Sequence, residues 1–337
     1  MDLVELEERA RARGWSGRML PVSWRTARRR ERLRGRLRGE RVSARRLVAP
    51  DPERLERAGV LLHAWPMSSA DISALVDAMP ALRWIHSANT GVEDVIRATE
   101  GRDELVITNA GSTASAVVAE HAFASVLALA RRLPEHFVAT VQREWATPPA
   151  RRLEGSTLLV VGFGRIGREV ARHAAHFGMR VIAVRRRPDM ETPDGVSEMI
   201  GPELLRERLG EADFVLLALP ATSETKDLVD AGFLAAMRPD AALVNVGRGE
   251  CVVEEDLAAA LRAGHPRAAC LDVTRRQPLP RRSPLYGVPG LWLTHYSAYR
   301  RAPAEHLQDA RRGFLENLEE FVAGRELPDS VDRARGY

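Results

Sequence analysis

The sequence predicts an α/β protein built from doubly wound parallel sheets, and three features carry that prediction. Short runs that are apolar nearly end to end alternate with segments of helical spacing, the pattern of strands in a parallel sheet covered by helices on both faces. The clearest series of this kind opens on a glycine-rich turn between an apolar run and a helical one. At 337 residues, 45% of them hydrophobic and 28% charged, the chain can form one large or two medium cores, so two domains are expected.

Taken in order, "GVLLHAWP" is the first apolar run and "ADISALVDAMP" has helical spacing. "LRWIHSA" and "ELVITNAG" read as buried strands. "AVVAEHAFASVLALARRLPEHFVATVQREW" is a long helical stretch interrupted at Pro134, with Pro148 and Pro149 as its stop. After "RRLEGS" come the strands "TLLVVGFG", "RVIAVR", "DFVLLALP", "AALVNVG" and "AACLDV", separated by helical segments such as "PELLRERLG" and "EEDLAAALRAG". Near the C-terminus, "AEHLQDARRGFLENLEEFVAG" places Phe314, Leu318, Phe321 and Val322 on one helical face, which must pack on something.

Composition narrows the function classes. No run of about eighteen apolar residues occurs and the N-terminal segment is charged throughout, so a cytoplasmic protein is expected. Cys251 and Cys270 are too few for a disulfide framework, and no Cys/His cluster has zinc-ligand spacing, so no metal is expected. His173 and His176, one helical turn apart, read as helix-surface residues. The isoelectric point near 9.5 and the arginine-rich stretch from Arg25 to Arg46 invite a nucleic-acid partner. Against this, the net charge is only +4, Lys226 is the sole lysine, and aromatic residues for stacking are missing after Trp24 in that stretch. A solvated helical face accounts for it better.

The glycine turn carries the first chemistry. Gly162, Gly164 and Gly167 stand in GxGxxG spacing after a strand and at the opening of a helix, the setting in which the motif binds a dinucleotide. The first glycine permits the tight turn, the second lets backbone approach a pyrophosphate, and the third lets helix and sheet pack closely. The helix start at Arg165 and Ile166 would offer N–H groups and a positive dipole end to the phosphates. Where an acidic residue would hold the ribose 2′-hydroxyl of NAD, the second strand ends in Arg185, Arg186 and Arg187. Guanidinium groups suit a 2′-phosphate, so NADP(H) is expected in preference to NAD(H).

Three further segments, "LALPATSETKDLVD", "MRPDAALVNVGRGECVVEEDLAAAL" and "AACLDVTRRQPLPRRSPLYGVPGLWLTHYSA", resemble the NAD(P)-dependent D-2-hydroxyacid dehydrogenase family of glyoxylate, hydroxypyruvate and phosphoglycerate dehydrogenases, over roughly Trp84 to Ala298. The resemblance implies two Rossmann-like domains, a cofactor domain at 116–299 inserted into a flavodoxin-like substrate domain made of 1–115 and 300–337. It also implies a homodimer, with the helical segment near 116–145 as the interface. By the same resemblance, Arg248 clamps the substrate carboxylate and polarises the carbonyl, which a planar guanidinium can do together. Asn89, Thr90 and Gly91 present backbone N–H groups to that carboxylate, with His86 beside them, and Asp272 lies near the nicotinamide carboxamide. Leu219, Pro220, Thr225 and Val246 fall where the family's loops touch the cofactor.

The family completes its site with a histidine that exchanges the proton and a glutamate that holds the imidazolium. Here Gln277 occupies the glutamate slot and Tyr296 the histidine slot, with His295 one place earlier. Neutral glutamine offers a hydrogen bond but no charge to an imidazolium, whereas tyrosine, with an ordinary pKa of about 10, is protonated and can donate at neutral pH. Adjacent residues on a strand point to opposite faces, so His295 and Tyr296 enter one cleft only if the chain bends. Four readings follow: Tyr296 donates the proton, a kink delivers His295, His86 substitutes, or the proton chemistry is lost. The function implied is hydride transfer between NADPH and the carbonyl of a small 2-oxo acid or related metabolite. The competing class is a dinucleotide-binding sensor or scaffold without turnover.

Overall fold

A computed structural model describes Glu56 and residues 58–63, 67–186, 191–299 and 303–333. The arginine-rich stretch and Arg187 lie outside the described residues. The described residues fall into two compact units, one within Met1–Thr113 and Ala302–Tyr337, the other within Ala114–Arg301.

In the first unit, β1 (Val60–His63), β2 (Trp84–Ser87) and β3 (Val106–Thr108) form a parallel sheet in that order, with Leu61, Ile85 and Ile107 in register. Parallel neighbours need crossovers, supplied by α1 (Ser69–Asp77) and α2 (Glu93–Ala98). Helix α1 starts where the Ser68 hydroxyl accepts from the Asp71 N–H at 3.2 Å, and it buries Ile72 and Val76 against Ile85 and Ile107. The C-terminal amphipathic segment forms α9 (Pro303–Val322), whose apolar face lies on the same sheet. Phe314 stacks on Trp84 with ring centroids 5.1 Å apart and planes 3° from parallel, and Phe321 sits at 5.1 Å from the same indole. The tail beyond α9 is tied in as well. Asp329 accepts from the N–H and hydroxyl of Ser112 and from Asn317 Nδ2, and Arg333 donates to the carbonyls of Thr99, Arg102 and Leu105.

The second unit carries a seven-stranded parallel sheet. Its strands are β4 (Thr157–Val161), β5 (Arg180–Val184), β6 (Glu198–Ile200), β7 (Phe214–Leu217), β8 (Ala242–Asn245), β9 (Ala268–Leu271) and β10 (Leu291–Leu293), in the spatial order β10-β9-β8-β7-β4-β5-β6. This is the doubly wound arrangement, with its topological switch point between β4 and β7. Two cores flank the sheet: Leu158, Val160, Phe214 and Leu216 point to one face, Leu159, Val161, Val215 and Leu217 to the other. Helices α3 (Gly111–Ala130) and α5 (Arg165–His176) cover the first face, and α7 (Ala231–Ala236) and α8 (Glu254–Arg262) the second. Helix α3 is long and apolar enough to span a membrane by composition, yet 67% of its apolar 18-residue stretch is buried inside the protein, as in a core helix.

The long helical stretch divides two residues before Pro134, at the left-handed Arg132 (φ 60°). Pro134 falls in the first turn of α4 (Leu133–Gln142), where a missing N–H breaks no bond. Helix α4 stops at Gln142 on a second left-handed arginine, Arg143, so Pro148 and Pro149 do not end it. "PELLRERLG" forms one α-turn, α6 (Leu205–Arg208), between two 3₁₀ turns.

Candidate active site

The loops at the carboxyl ends of the second unit's strands meet through glycines. Gly162 turns the chain after β4 with φ 101°, and a methyl group there would stand 2.5 Å from the Ala218 carbonyl oxygen. A methyl on Gly167 would overlap the Gly162 carbonyl, so helix α5 rests directly on the turn. Gly164, the N-cap of α5, is different: it is exposed, extended, and has no heavy atom within 4 Å of where a methyl would stand. Beside this open backbone lie Arg165 and Ile166, in the first helical turn, whose N–H groups an α-helix leaves without intrahelical acceptors. A pyrophosphate fits such a cradle.

The next loops close on the first. Gly247, after β8, would carry a methyl 2.6 Å from the Leu219 carbonyl oxygen, and a methyl on Gly249 would overlap the Thr274 carbonyl. Thr225 braces the β7 loop by donating to the Pro220 carbonyl at 2.6 Å and accepting from the Thr222 N–H at 2.9 Å. Fully buried Asn245 shapes the β8 loop: its Oδ1 accepts from Gly247 N–H and its Nδ2 donates to the Arg248 carbonyl, both at 3.0 Å. That bracket leaves buried Val246 at the strand end and Arg248 extended and half-buried, with Nη1 donating to the Gly247 carbonyl at 3.0 Å. Arg275 pins the β9 loop by pairing with Asp227 and donating to the Val252 carbonyl at 2.6 Å. At the end of β5, Arg185 is half-buried and Arg186 is exposed with Glu224 at 3.5 Å. The nearby thiols are buried: burial pushes Cys251 up and Cys270 to about 12, so neither is a nucleophile near neutral pH.

Asp272, 5% exposed at the end of β9, organises the last loop. Its Oδ1 accepts from the Thr294 hydroxyl at 2.6 Å and from the Ser297 N–H at 2.8 Å, and both oxygens accept from the Ala298 N–H at 3.2 Å. Its carbonyl accepts from the Tyr296 N–H at 2.7 Å. Strand β10 ends at Leu293, and His295 (φ 53°) and Tyr296 (φ 58°) are both left-handed. The strand alternation expected across this pair therefore does not apply. Both side chains are exposed, Tyr296 by 54%. Gln277 is exposed too and donates to the Thr274 carbonyl at 3.2 Å, a local bond within its own loop.

In the first unit, Asn89, Thr90 and Gly91 form a half-buried loop after β2. Ser87 Oγ accepts from the Asn89 N–H, and Asn109 Nδ2 donates to the Thr90 carbonyl. His86 does not join that loop's surface. It is fully buried, pairs through Nδ1 with Thr108 Oγ1 at 2.7 Å, and lies edge-on to Trp84 and Phe314. Burial lowers its pKa to about 4, against a smaller opposing pull from Asp329. The expectation that His86 serves as a ligand-side or substitute proton donor gives way to a neutral core histidine.

A family model for the NAD-binding domain of D-isomer specific 2-hydroxyacid dehydrogenases matches residues 123–298. Glyoxylate reductase of Thermococcus gammatolerans is 34% identical over 256 residues, 73% of each chain. The chain belongs to the D-isomer specific 2-hydroxyacid dehydrogenase family. Another relative, D-3-phosphoglycerate dehydrogenase of Mycobacterium bovis, is 32% identical over 308 residues, 88% of this chain but 56% of that one. The present chain thus spans little more than half of that protein. A D-isomer specific 2-hydroxyacid dehydrogenase from Xanthobacter autotrophicus Py2, solved with NADPH and MES, superposes with a TM-score of 0.73 at 28% identity, covering 86% of this chain and 87% of that one.

The glycine turn, the "NVGRG" loop, Gln277 and Tyr296 of this D-isomer specific 2-hydroxyacid dehydrogenase relative all fall within the matched residues. Sequence reasoning did not single out His121, Asn245, Thr294 or Arg275. The only signal for Asn245 and Thr294 was their place at strand ends; His121 sits mid-helix in α3, and its partner arrives from β10.

Proposed function

We propose that this protein is an NADPH-dependent reductase acting on the carbonyl of a small 2-oxo acid or a related metabolite. One observation carries the reading: within a single unit, an open glycine cradle at a helix start and the loop that presents Arg248 both close on the Ala218–Leu219 backbone after β7. Residues 116–299 hold the dinucleotide, with Gly162, Gly164, Arg165, Ile166 and Gly167 around the pyrophosphate and Leu219, Pro220, Thr225, Val246 and Asp272 along the rest. Arg185 and Arg186 favour the 2′-phosphate, so NADP is preferred over NAD. Residues 1–115 and 300–337 carry the substrate loop, where Asn89, Thr90 and Gly91 receive the carboxylate.

The reduced nicotinamide, when bound, supplies the hydride. Arg248 orients the 2-oxo acid and stabilises the negative charge that develops on its carbonyl oxygen. The turn Thr294–Ala298 delivers the proton, through Tyr296 or His295, both exposed on it. Gln277 is left with a structural bond inside its own loop.

The assembly we propose is a homodimer through α4. Leu133, Phe137, Val138, Val141 and Trp145 expose apolar surface on or just beyond that helix, Trp145 by 97%, and a second copy would cover it. A cytoplasmic setting accords with two free, buried thiols.

The test is direct. Protein mixed with NADPH or NADH and glyoxylate, hydroxypyruvate or phenylpyruvate is followed by absorbance of the reduced nucleotide. Turnover that Arg248→Ala abolishes supports the reductase, whereas tight nucleotide binding with no oxidation across the panel favours a sensor or scaffold.

A further inference from the structure

The turn that bears His295 and Tyr296 is unusual in needing two consecutive left-handed residues, neither of them glycine. Left-handed backbone is disfavoured at each such residue, so the surroundings must hold the turn in place. Asp272 supplies most of the hold through the Ser297 and Ala298 N–H groups and the Thr294 hydroxyl. A third element completes it. His121, on α3, places Nε2 3.1 Å from Thr294 Oγ1 and 3.5 Å from Asp272 Oδ1.

The direction of these bonds follows from donor counting. Asp272 Oδ1 accepts from backbone N–H groups, so the 2.6 Å bond from Thr294 uses the only hydrogen of that hydroxyl. Thr294 Oγ1 can then only accept from His121, which must carry its hydrogen on Nε2. The chain runs His121 Nε2–H to Thr294 O–H to the buried Asp272 carboxylate, and successive donors of this kind strengthen one another. His121 also brings a polar hydrogen within reach of a carboxylate that is 4% exposed and whose burial needs compensation.

We propose that His121 is a positioning residue for the reaction: through Thr294 and Asp272 it fixes the turn that presents Tyr296 and His295, and so the group that delivers the proton. This rests on the reductase reading, but its physical core does not. Because the nucleotide's phosphates meet the remote Gly162–Gly167 turn, loss of His121 disturbs the proton-delivering turn without loosening the pyrophosphate.

The test compares His121→Leu, which removes the donor, with His121→Gln, whose side-chain N–H can occupy the Nε2 position. Hydrogen exchange of the Tyr296, Ser297 and Ala298 amides is measured on the full chain, with NADPH affinity by calorimetry and turnover on the 2-oxo acid panel. Losing one such bond should speed exchange at these three amides roughly tenfold, leave the rest of the chain unchanged and lower kcat at least as much. NADPH affinity should stay within about twofold, and glutamine should restore both exchange and kcat. Thr294→Val breaks the same link from the other side, should reproduce the effect, and replaces His121→Leu if that variant fails to fold. Exchange unchanged in both variants overturns the proposal, as do acceleration spread over the whole unit and failure of glutamine to restore it. If wild-type protein oxidises NADPH with no 2-oxo acid, the reductase reading fails, and the exchange measurement still decides whether His121 holds the turn.

Discussion

Replacing Gly164 by alanine adds one methyl group where nothing stands within 4 Å and where the backbone is already extended, at φ −86° and ψ −156°. The fold should therefore tolerate it, and the stiffer unfolded chain would even add about 0.4–1 kcal/mol of stability. The same methyl occupies the approach to the N–H groups that begin α5. A pyrophosphate held off by about 1 Å loses charge-assisted hydrogen bonds worth about 1.5–3 kcal/mol each. Loss of two predicts NADPH binding weaker by roughly a hundredfold or more. Gly167→Ala is the contrasting case, since its methyl would overlap the Gly162 carbonyl and stand 3.0 Å from Val160 Cγ1. Helix α5 must lift off the sheet, costing about 1–3 kcal/mol, visible as a Tm several degrees lower. Calorimetric titration with NADPH and thermal unfolding by circular dichroism separate the two effects. Undiminished NADPH binding by Gly164→Ala, or wild-type stability of Gly167→Ala, would refute the reasoning.

The acid limb of stability carries a second prediction. The unfolded chain protonates His86 near its ordinary 6.5, while the folded chain resists until about 4, so stability from this group is present above 6.5 and lost as pH falls toward 4. That gap amounts to about 3 kcal/mol. In urea unfolding, His86→Leu should lose less stability than wild type between about pH 7 and about pH 4; equal losses would remove His86 from the cause. Arg186→Ala should weaken NADPH roughly tenfold or more while leaving NADH within about twofold, read by calorimetry; parallel losses would deny a 2′-phosphate role. Val141→Asp places a charge among the exposed apolar residues of α4 and should give monomers in sedimentation where the wild type gives dimers, whereas an unchanged mass would exclude that face.

What the sequence made legible was local. The glycine spacing needs only its own strand, turn and helix, and the apolar runs declared the parallel sheet because both faces are covered. The amphipathic face of Phe314, Leu318 and Phe321 required a partner, which Trp84 supplies. Features set by distant partners stayed hidden. The left-handed pair at His295 and Tyr296 contains no glycine to announce it and is imposed by Asp272, more than twenty residues earlier. His86 precedes the Asn89–Gly91 loop in sequence, but strand alternation turns it toward Thr108 and Phe314. Helix α4 ends on an arginine rather than a glycine, so the later prolines drew the boundary too far along.

Hydride transfer itself is measured most directly with NADPH deuterated on the transferred side of C4, incubated with a 2-oxo acid that the protein reduces, and mass spectrometry of the hydroxy acid formed. Deuterium on C2 of the product from wild-type protein, with no labelled product from Arg248→Ala, is the predicted result. Product lacking deuterium, or no product from any 2-oxo acid with the labelled NADPH, would contradict it.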